Sequence, residues 1–404
     1  MKEFEAKSLC ILGRQPALGL AELENLYGAE HVQRLPGAAL LDVPAGEINF
    51  KRLGGTLKVA QLLNILPGNS WKLAYDYLAA NVPEHLQHLP GGTFTLGISV
   101  YGMDINVKKL GADLLSLKKI IRATGRSVRI VPNKTLELNS AQVLHNKLTH
   151  RGAWELLLVC DGGQIYLAQT LFVQDIEAYA ARDQARPKRD ARVGMLPPKL
   201  AQIIINLCSP EDGRQKTEDG KPKKAVRILD PFCGTGVILQ EALLMGYHVL
   251  GTDNDPRMVD YAKTNIQWLV EKYPGIEGQV VIEMGDATSH QWPRFSVVAS
   301  ELYLGRPLAF LPQPDKLKEI VRDVNTITKK FLANLASQQR PGQSVALAVP
   351  AWRTKNGYEH LPLLDNLTSL GYNRRSFVHI KNDELIYFRE GQIVARELLL
   401  LNRL

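Results

Sequence analysis

The fold of this chain is decided by the stretch Ile228-Leu-Asp-Pro-Phe-Cys-Gly-Thr-Gly-Val-Ile-Leu-Gln-Glu-Ala-Leu243. An apolar run ends at Asp230, a glycine-rich turn follows, and an amphipathic helical pattern begins at Val237. Gly234 and Gly236 remove side chains where the backbone turns sharply, and they let a ligand lie against the main chain. The pattern predicts a strand, a tight turn and a helix N-terminus, the unit with which doubly wound α/β proteins hold a nucleotide-like ligand.

The chemical nature of that ligand is indicated by Asp230, which directly follows the predicted strand. The glycine spacing differs from the dinucleotide-binding pattern. A carboxylate at this place repels a pyrophosphate and attracts an ammonium group. The sequence therefore predicts S-adenosylmethionine (SAM) rather than NAD as the ligand.

Acidic residues recur at the ends of the next two predicted strands. Asp253 follows the glycine-rich turn by about twenty residues, a position from which a carboxylate accepts hydrogen bonds from ribose hydroxyls, and Asp255 can share that role. Asp286 lies where a side chain can accept from the adenine amino group. Each carboxylate can instead cap a helix, but three in succession beside a glycine-rich turn favour a cofactor site. The predicted cofactor-binding residues are Asp230, Phe232, Cys233, Gly234, Gly236, Asp253, Asn254, Asp286 and Ala287.

Strands and helices alternate from residue 225 onward, which predicts an α/β fold with parallel strands and covering helices. The predicted strands are Val226–Leu229, Tyr247–Thr252, Gln279–Glu283, Phe295–Ala299, Ser344–Val349, Phe377–Ile380, Leu385–Arg389 and Ile393–Leu401, and the predicted helices are Arg257–Val270 and Lys316–Leu335. The last strands predict an antiparallel edge. The first half shows mixed strand and helix periods and is predicted to be α+β.

Composition predicts an intracellular globular protein. The chain has 404 residues, 45% of them hydrophobic and 22% charged, which suits two or three domains with full cores. No apolar run reaches membrane-spanning length and no signal-peptide pattern opens the chain, so a cytoplasmic location is expected. The four cysteines show no metal-ligand spacing, and we predict no metal.

A polyanionic partner is suggested by the formal net charge of +8 and by a basic connector at 182–192. The connector leads through a predicted helix at 194–207 to a polar stretch, 209–224, that we expect to be a mobile loop. Lysines on the predicted 108–124 helix can equally form a solvated face. The predicted RNA-binding residues are Lys108, Lys109, Arg186, Lys188, Arg189 and Arg306, and such contacts position a nucleic acid without reading its sequence.

The chain resembles the THUMP-domain tRNA methyltransferases that modify the exocyclic amine of guanosine. The matching segments are Leu53–Thr56, Arg186–Asp190, Gly194–Ala201, Asp230–Gly236, Gly251–Asp255 and Tyr387–Glu397. The resemblance implies four regions: a ferredoxin-like segment at 1–64, a THUMP-like RNA-binding domain at 65–178, a linker with a helix and loop at 179–224, and a Rossmann-like methyltransferase domain at 225–404. It also implies tRNA as the partner.

The sequence departs from this family after the fourth strand of the methyltransferase domain. Relatives carry Asp-Pro-Pro-Tyr there, whereas this chain has Ser300-Glu-Leu-Tyr-Leu-Gly-Arg306. In the family the aspartate and a proline carbonyl accept the two amine protons, and the tyrosine stacks on the base. The resemblance therefore implies catalytic roles for Ser300, Glu301 and Tyr303, although strand alternation can point Glu301 away from the site.

Three interpretations remain open for the departure. In the first, Glu301 or Ser300 orients the amine and the enzyme methylates a guanosine N2 amine with altered geometry. In the second, the site is degenerate and the protein binds SAM and RNA without methylating. In the third, the substrate is another nucleic acid or a protein. We predict the first, because the cofactor motif is intact and because Glu301, Tyr303 and Arg306 are not the residues expected from random decay of a loop. Tyr303 or Phe232 offers a stacking surface for an unstacked base.

Overall fold

The computed structural model describes residues 4–89, 91–190, 195–208, 226–308 and 310–404. It divides into two compact units. The first unit comprises Met1–Pro16, Glu30–Lys51 and Thr56–Ala178, and the second comprises Ala17–Ala29, Arg52–Gly55 and Tyr179–Leu404. The predicted mobile loop at 209–224 lies outside the described residues.

The first unit is built on one mixed sheet with the strand order β2-β3-β1-β4-β8-β7-β5-β6. Its strands are β1 (Ser8–Leu12), β2 (Val32–Leu35), β3 (Ala38–Leu41), β4 (Thr56–Pro67), β5 (Phe94–Tyr101), β6 (Val128–Ile130), β7 (Ala153–Asp161) and β8 (Gln164–Val173), and its helices are α2 (Trp71–Gln87), α3 (Val107–Ala123) and α4 (Ser140–His145). Strand β5 is parallel to β6 and β7, and the other pairs are antiparallel. The prediction of an α+β first half agrees with this arrangement.

The predicted boundary at residue 64 requires correction, because it falls inside strand β4. Strand β4 pairs with β8 from Lys58 to Pro67. The regions 1–64 and 65–178 therefore contribute to the same sheet. The backbone hydrogen bonds between β4 and β8 continue on both sides of residue 64, so no domain boundary lies there.

The second unit contains the alternating α/β region, with the strand order β11-β10-β9-β12-β13-β17-β15. Its strands are β9 (Arg227–Asp230), β10 (His248–Asp253), β11 (Val280–Met284), β12 (Val297–Glu301), β13 (Ser344–Thr354), β14 (Gly357–Glu359), β15 (Tyr372–Arg374), β16 (Ile386–Tyr387) and β17 (Val394–Arg403), and its helices are α1 (Pro16–Tyr27), α5 (Ile176–Gln184), α6 (Pro198–Cys208), α7 (Val237–Leu244), α8 (Pro256–Lys272) and α9 (Pro314–Ala336). Strands β9 to β13 are parallel, and β17 is antiparallel to β13 and β15. The predicted Rossmann-like α/β fold with an antiparallel edge is confirmed.

The predicted strand at Phe377–Ile380 is wrong, because these residues lie in an irregular segment. The backbone N–H groups of Val378 and His379 donate to the Glu24 carboxylate, at 2.6 and 3.0 Å. A side chain more than 350 residues away thus takes the hydrogen bonds that a strand neighbour would have used. Strands β2, β14 and β15 and helix α5 were not predicted.

Helix α1 and residues 52–55 join the second unit through a buried polar cluster. The Glu22 carboxylate accepts from the backbone N–H groups of Gly54 and Gly55, at 2.9 and 2.8 Å, and from the Asn206 amide on α6 at 2.7 Å. Burial raises the pKa of Glu22 to about 7 despite these donors. A Cβ at Gly54 would lie 2.1 Å from the Lys199 carbonyl oxygen. Gly54 is therefore required for close packing on α6, and Gly55, whose Cβ would lie 2.3 Å from the Gly19 Cα, for close packing on α1.

In the part of the chain that the structure describes, no helix combines the length and apolar character needed to cross a membrane.

Candidate cofactor site and acceptor pocket

A cavity of about 590 Å³ opens at the carboxyl ends of strands β9, β10, β11 and β12. Ligands of open α/β sheets bind at this edge, where the loops after parallel strands meet. Most of the predicted cofactor and catalytic residues lie on its wall. These are Asp230, Phe232, Cys233, Gly234, Asp253, Asn254, Asp286, Ala287, Glu301 and Tyr303, with Arg306 beside them.

Asp253, at the end of β10, shapes the glycine-rich turn. Its two carboxylate oxygens accept from the backbone N–H groups of Gly234 and Asp255, both at 2.9 Å. Burial raises the pKa of Asp253. Because each carboxylate oxygen can accept more than one hydrogen bond, Asp253 can hold the turn and still accept from ribose hydroxyls. Asp255 instead caps helix α8, accepting from the Arg257 N–H at 2.9 Å.

Asp230 forms a buried acidic wall of the cavity. The residue is 2% exposed, and its carboxylate accepts from the Ser300 hydroxyl at 2.6 Å. Burial raises the pKa of Asp230 to about 7, and the nearby Asp253 and Glu301 carboxylates contribute to the increase. A cation placed beside Asp230 would favour its charged form, so an ammonium group suits this position.

Ser300 does not occupy the position that the sequence suggested. The residue is fully buried and lies outside the cavity wall, with its hydroxyl directed at Asp230. A residue in that place supports the cofactor wall and does not face an acceptor base. The role predicted for Ser300 at the base is therefore not supported by its position.

Glu301 and Tyr303 do lie at the cavity. Strand β12 alternates faces, so Glu301 points to the opposite side from Ser300. The Glu301 carboxylate lines the cavity and accepts from the Arg396 Nε–H on β17. Tyr303 is 44% exposed at the same wall. A carboxylate and an exposed aromatic ring are thus available together to an incoming group.

Asp286 lies at the far side of the cavity, after β11. Its carboxylate accepts from the backbone N–H and the hydroxyl of Thr288, at 2.9 and 2.8 Å, and these hydrogen bonds lower its pKa. Gly236, by contrast, lies outside the cavity wall. It caps helix α7 at φ +82°, where a side chain would be strained.

Arg186, Lys188 and Arg189 of the connector have three different environments. Arg186 is only 3% exposed, so it does not offer its guanidinium to a nucleic acid. The main chain of Lys188 is held by Asn265, which donates to its carbonyl and accepts from its N–H, both at 2.9 Å. The Asn265 amide also donates to the Thr235 carbonyl at 2.9 Å, which ties the connector to the glycine-rich turn. Arg189 is exposed.

The two predicted RNA-binding lysines of the first unit lie on α3 and are exposed. Lys109 forms an ion pair with Asp113 one helical turn later, at 2.7 Å. Such a pair is typical of a solvated helix face. Lys108 is exposed at the N-terminus of the same helix.

SAM fits the residues of this cavity. Three acidic side chains follow three successive strands, and a Cβ added at Gly234 would meet no atom within 4 Å, so the turn leaves space for a ligand. Among the described residues of the wall, Arg306 alone is basic. That charge balance suits a ligand with cationic groups and opposes a pyrophosphate.

Comparison with known proteins agrees with this geometry. Residues 186–308 match the family described as UPF0020, RMKL-like, methyltransferase domain. This segment of the chain is therefore similar to that methyltransferase domain. The predicted resemblance to methyltransferases is thereby confirmed for this segment, which contains the cavity wall from Asp230 to Pro307.

Curated relatives match short segments. The chain is 44% identical over 87 residues to a tRNA (guanine(10)-N2)-dimethyltransferase of Methanothermobacter thermautotrophicus, covering 21% of this chain and 22% of the relative. It is 40% identical over 94 residues to the protein of the same name from Pyrococcus abyssi, covering 23% of this chain and 22% of that protein. The chain thus matches about a fifth of the length of these relatives.

The likeness to a solved structure extends further than the sequence matches. The crystal structure of TrmN from Thermus thermophilus superposes with a TM-score of 0.53 over 99% of this chain and 100% of that chain, at 17% identity. At that identity the likeness shows the fold alone. The fold of this chain therefore resembles that of TrmN over nearly the whole chain.

Two residues near the site were missed by sequence reasoning. Asn265 lies on α8 at an unremarkable helical position, and Arg396 lies 95 residues after the carboxylate that it binds. Both belong to elements that were predicted. Their partners are remote in sequence, so no local pattern indicates either contact.

Proposed function

We propose that the protein is a SAM-dependent tRNA methyltransferase of the cytoplasm that methylates the exocyclic N2 amine of a guanosine. The observation that carries the proposal is the position of Glu301 and Tyr303 on the wall of the cavity that fits SAM. The names of the curated relatives support the substrate and the acceptor atom. The RMKL-like domain supports the reaction class.

The residues of the chain supply binding and orientation. Bound SAM supplies an electrophilic methyl group on a positively charged sulfur. Asp253 would accept from the ribose, Asp286 from the adenine amine, and Asp230 would lie beside the ammonium group. A guanine amine is a poor nucleophile, because its lone pair is shared with the ring. Glu301 would accept an amine N–H and so direct the nitrogen toward the methyl carbon.

Tyr303 would hold the base in the plane that Glu301 requires. An exposed aromatic ring at a cavity mouth stacks on an unstacked base with a gain of about 1–3 kcal/mol. Arg306, exposed on the same wall, would contact a phosphate. The first unit would act as a THUMP-type RNA-binding domain through exposed basic residues such as Lys108.

The direct test is nucleoside mass spectrometry of unmodified tRNA incubated with the protein and isotope-labelled SAM. We expect label in N2-methylguanosine, and a loss of at least tenfold in rate for Glu301→Gln. Glu319→Gln, an exposed substitution on helix α9, is the control and should leave the rate unchanged.

Label in a different nucleoside would keep the enzyme but contradict the proposed acceptor. If no label is incorporated while calorimetry shows that SAM binds, the methyltransferase proposal fails. The result would then favour a protein that binds SAM and RNA without transferring a methyl group.

A further inference from the structure

Arg396 is a buried arginine beside the acceptor pocket for which the proposed function has no role so far. It lies on β17, is 5% exposed, and donates from Nε to one oxygen of Glu301, Oε1. Its guanidinium carbon lies 6.0 Å from the centre of the Tyr387 ring. No described residue donates to the second carboxylate oxygen of Glu301, Oε2. One oxygen is therefore fixed by the protein, and the other has no donor among the described residues, on a side chain that lines the cavity.

The sheet register explains why this arginine reaches that carboxylate. Glu301 is paired with Ala348 on β13, and Ala348 is paired with Leu398 on β17. Arg396 lies two residues before Leu398, so its side chain leaves the same face of the sheet as that of Glu301. Its long side chain extends across β13 to Glu301, and both groups are largely shielded from water.

We propose that Arg396 is a positioning residue that fixes Glu301 with its free oxygen toward the cavity, so that the pocket selects acceptors carrying an N–H donor. The inference rests on the proposed function and specifies its substrate class. A carboxylate bound to arginine is a charged acceptor of hydrogen bonds and does not donate. An exocyclic amine satisfies such a group, whereas a carbonyl oxygen in the same place repels it.

Arg396 also fixes the orientation of the Glu301 carboxylate, which the residues next to Glu301 in the sequence do not fix. The chain has Leu302 where the resemblance implies proline, so the backbone after Glu301 is not held rigid by a ring. A planar guanidinium fixes a carboxylate more narrowly than an ammonium does. Arg396 would thus provide from β17 the rigidity that prolines would provide locally.

A second ion pair on β17 serves as a matched control. Arg374 on β15 donates to the buried Glu397 at 2.8 Å, one residue after Arg396. Glu397 points to the opposite face and does not line the cavity. If the role of Arg396 were only to stabilise the sheet, Arg374→Gln and Arg396→Gln would have the same consequences.

The test measures binding of guanosine 5′-monophosphate and inosine 5′-monophosphate to the full chain, in the presence of S-adenosylhomocysteine, by ligand-observed NMR. Inosine lacks the exocyclic amine and is otherwise the same base. We expect the wild type to prefer the guanine nucleotide by about tenfold. Arg396→Gln and Glu301→Gln should abolish the preference, Arg396→Lys should retain part of it, and Arg374→Gln should retain it fully.

The inference is overturned if Arg396→Gln keeps the wild-type preference, if Arg374→Gln loses it equally, or if the wild type has none.

Methyl transfer is measured separately on tRNA. There we expect Arg396→Gln to lower kcat about tenfold with little change in KM, and the Glu301→Gln/Arg396→Gln double variant to be no slower than Glu301→Gln. Amine preference without methyl transfer would refute the proposed function and keep the role of Arg396. If tRNA is methylated but Arg396→Gln keeps the wild-type preference for the guanine nucleotide, the proposed function stands and the role of Arg396 is refuted.

Discussion

The affinity for SAM should depend on pH through Asp230. The carboxyl of Asp230 is buried against Ser300, and its pKa is raised to about 7 in the free protein. Below that pH the group is neutral and attracts no cation. Above it the group is charged and attracts the ammonium of the ligand. Binding should therefore strengthen as pH rises toward 7 and level off above it.

The size of the effect follows from the proton that binding must release. If the bound complex keeps Asp230 ionised down to pH 5.5, raising the pH from 5.5 to 7.5 strengthens binding by at most about 25-fold. The ligand's α-amino group has an ordinary pKa of about 8, so most of it stays cationic through this range. Ser300→Ala removes a donor to the carboxylate and raises its pKa further. That variant should bind about tenfold more weakly at pH 7.

The assay is isothermal titration calorimetry with SAM at intervals from pH 5.5 to 7.5. 5′-Methylthioadenosine, which carries the ribose and adenine but no ammonium, is the matched ligand control. It reports any dependence that arises from Asp253, whose pKa is also raised by burial. Asp230→Asn should remove the difference in pH dependence between the two ligands. Asp286→Asn should leave it, because the pKa of Asp286 is lowered and that group does not titrate in this range.

Equal pH dependence for SAM and 5′-methylthioadenosine would refute this reasoning. Asp230 would then either not face the ammonium or be charged throughout. If Asp230→Asn kept the full difference, another group would have to be responsible. Both results are measured by calorimetry of ligand binding and do not require the protein to transfer a methyl group.

Three further predictions concern the framework of the site. Gly236→Ala places a Cβ 3.2 Å from that of Ala262 at a positive φ, and it should lower the free energy of unfolding by about 1–3 kcal/mol in urea titration; an unchanged midpoint would contradict the strain. Glu22→Ala leaves two backbone N–H groups and an amide without their acceptor, so we expect a loss of about 3 kcal/mol in the same assay, and a loss below 1 kcal/mol would argue against the cluster. Asn265→Ala frees the main chain of Lys188 from the glycine-rich turn. It should weaken SAM binding severalfold in calorimetry, whereas wild-type affinity would show that the connector does not support the turn.

The cofactor wall could be predicted from sequence because its signals are local. An apolar strand, two glycines and an acidic residue at each strand end all lie within short segments, and Asp230, Asp253 and Asp286 line the cavity as expected. Strand alternation also raised the question of where Glu301 points. The answer depends on Arg396, whose position follows from the pairing of three strands.

The predictions that needed correction depended on distant contacts. The expected strand at Phe377–Ile380 gives its backbone donors to Glu24, and the expected boundary at residue 64 is crossed by the pairing of β4 with β8. Arg186 lies in a basic run that suggested exposure, yet it is buried. A charged residue in a sequence needs either solvent or a polar partner, but the sequence alone does not show which charged residues the fold buries.

The attachment of helix α1 and residues 52–55 to the second unit has a consequence for synthesis of the chain on the ribosome. Glu22 is made about 180 residues before Asn206, its partner on α6. Until α6 has emerged from the ribosome, the Glu22 carboxylate lacks its Asn206 donor and the apolar side of α1 lacks a complete surface on which to pack. The second unit therefore cannot complete its fold in a simple order from one end to the other. It also means that a cut near residue 179 would not yield an intact second unit, because residues 17–29 and 52–55 belong to that unit.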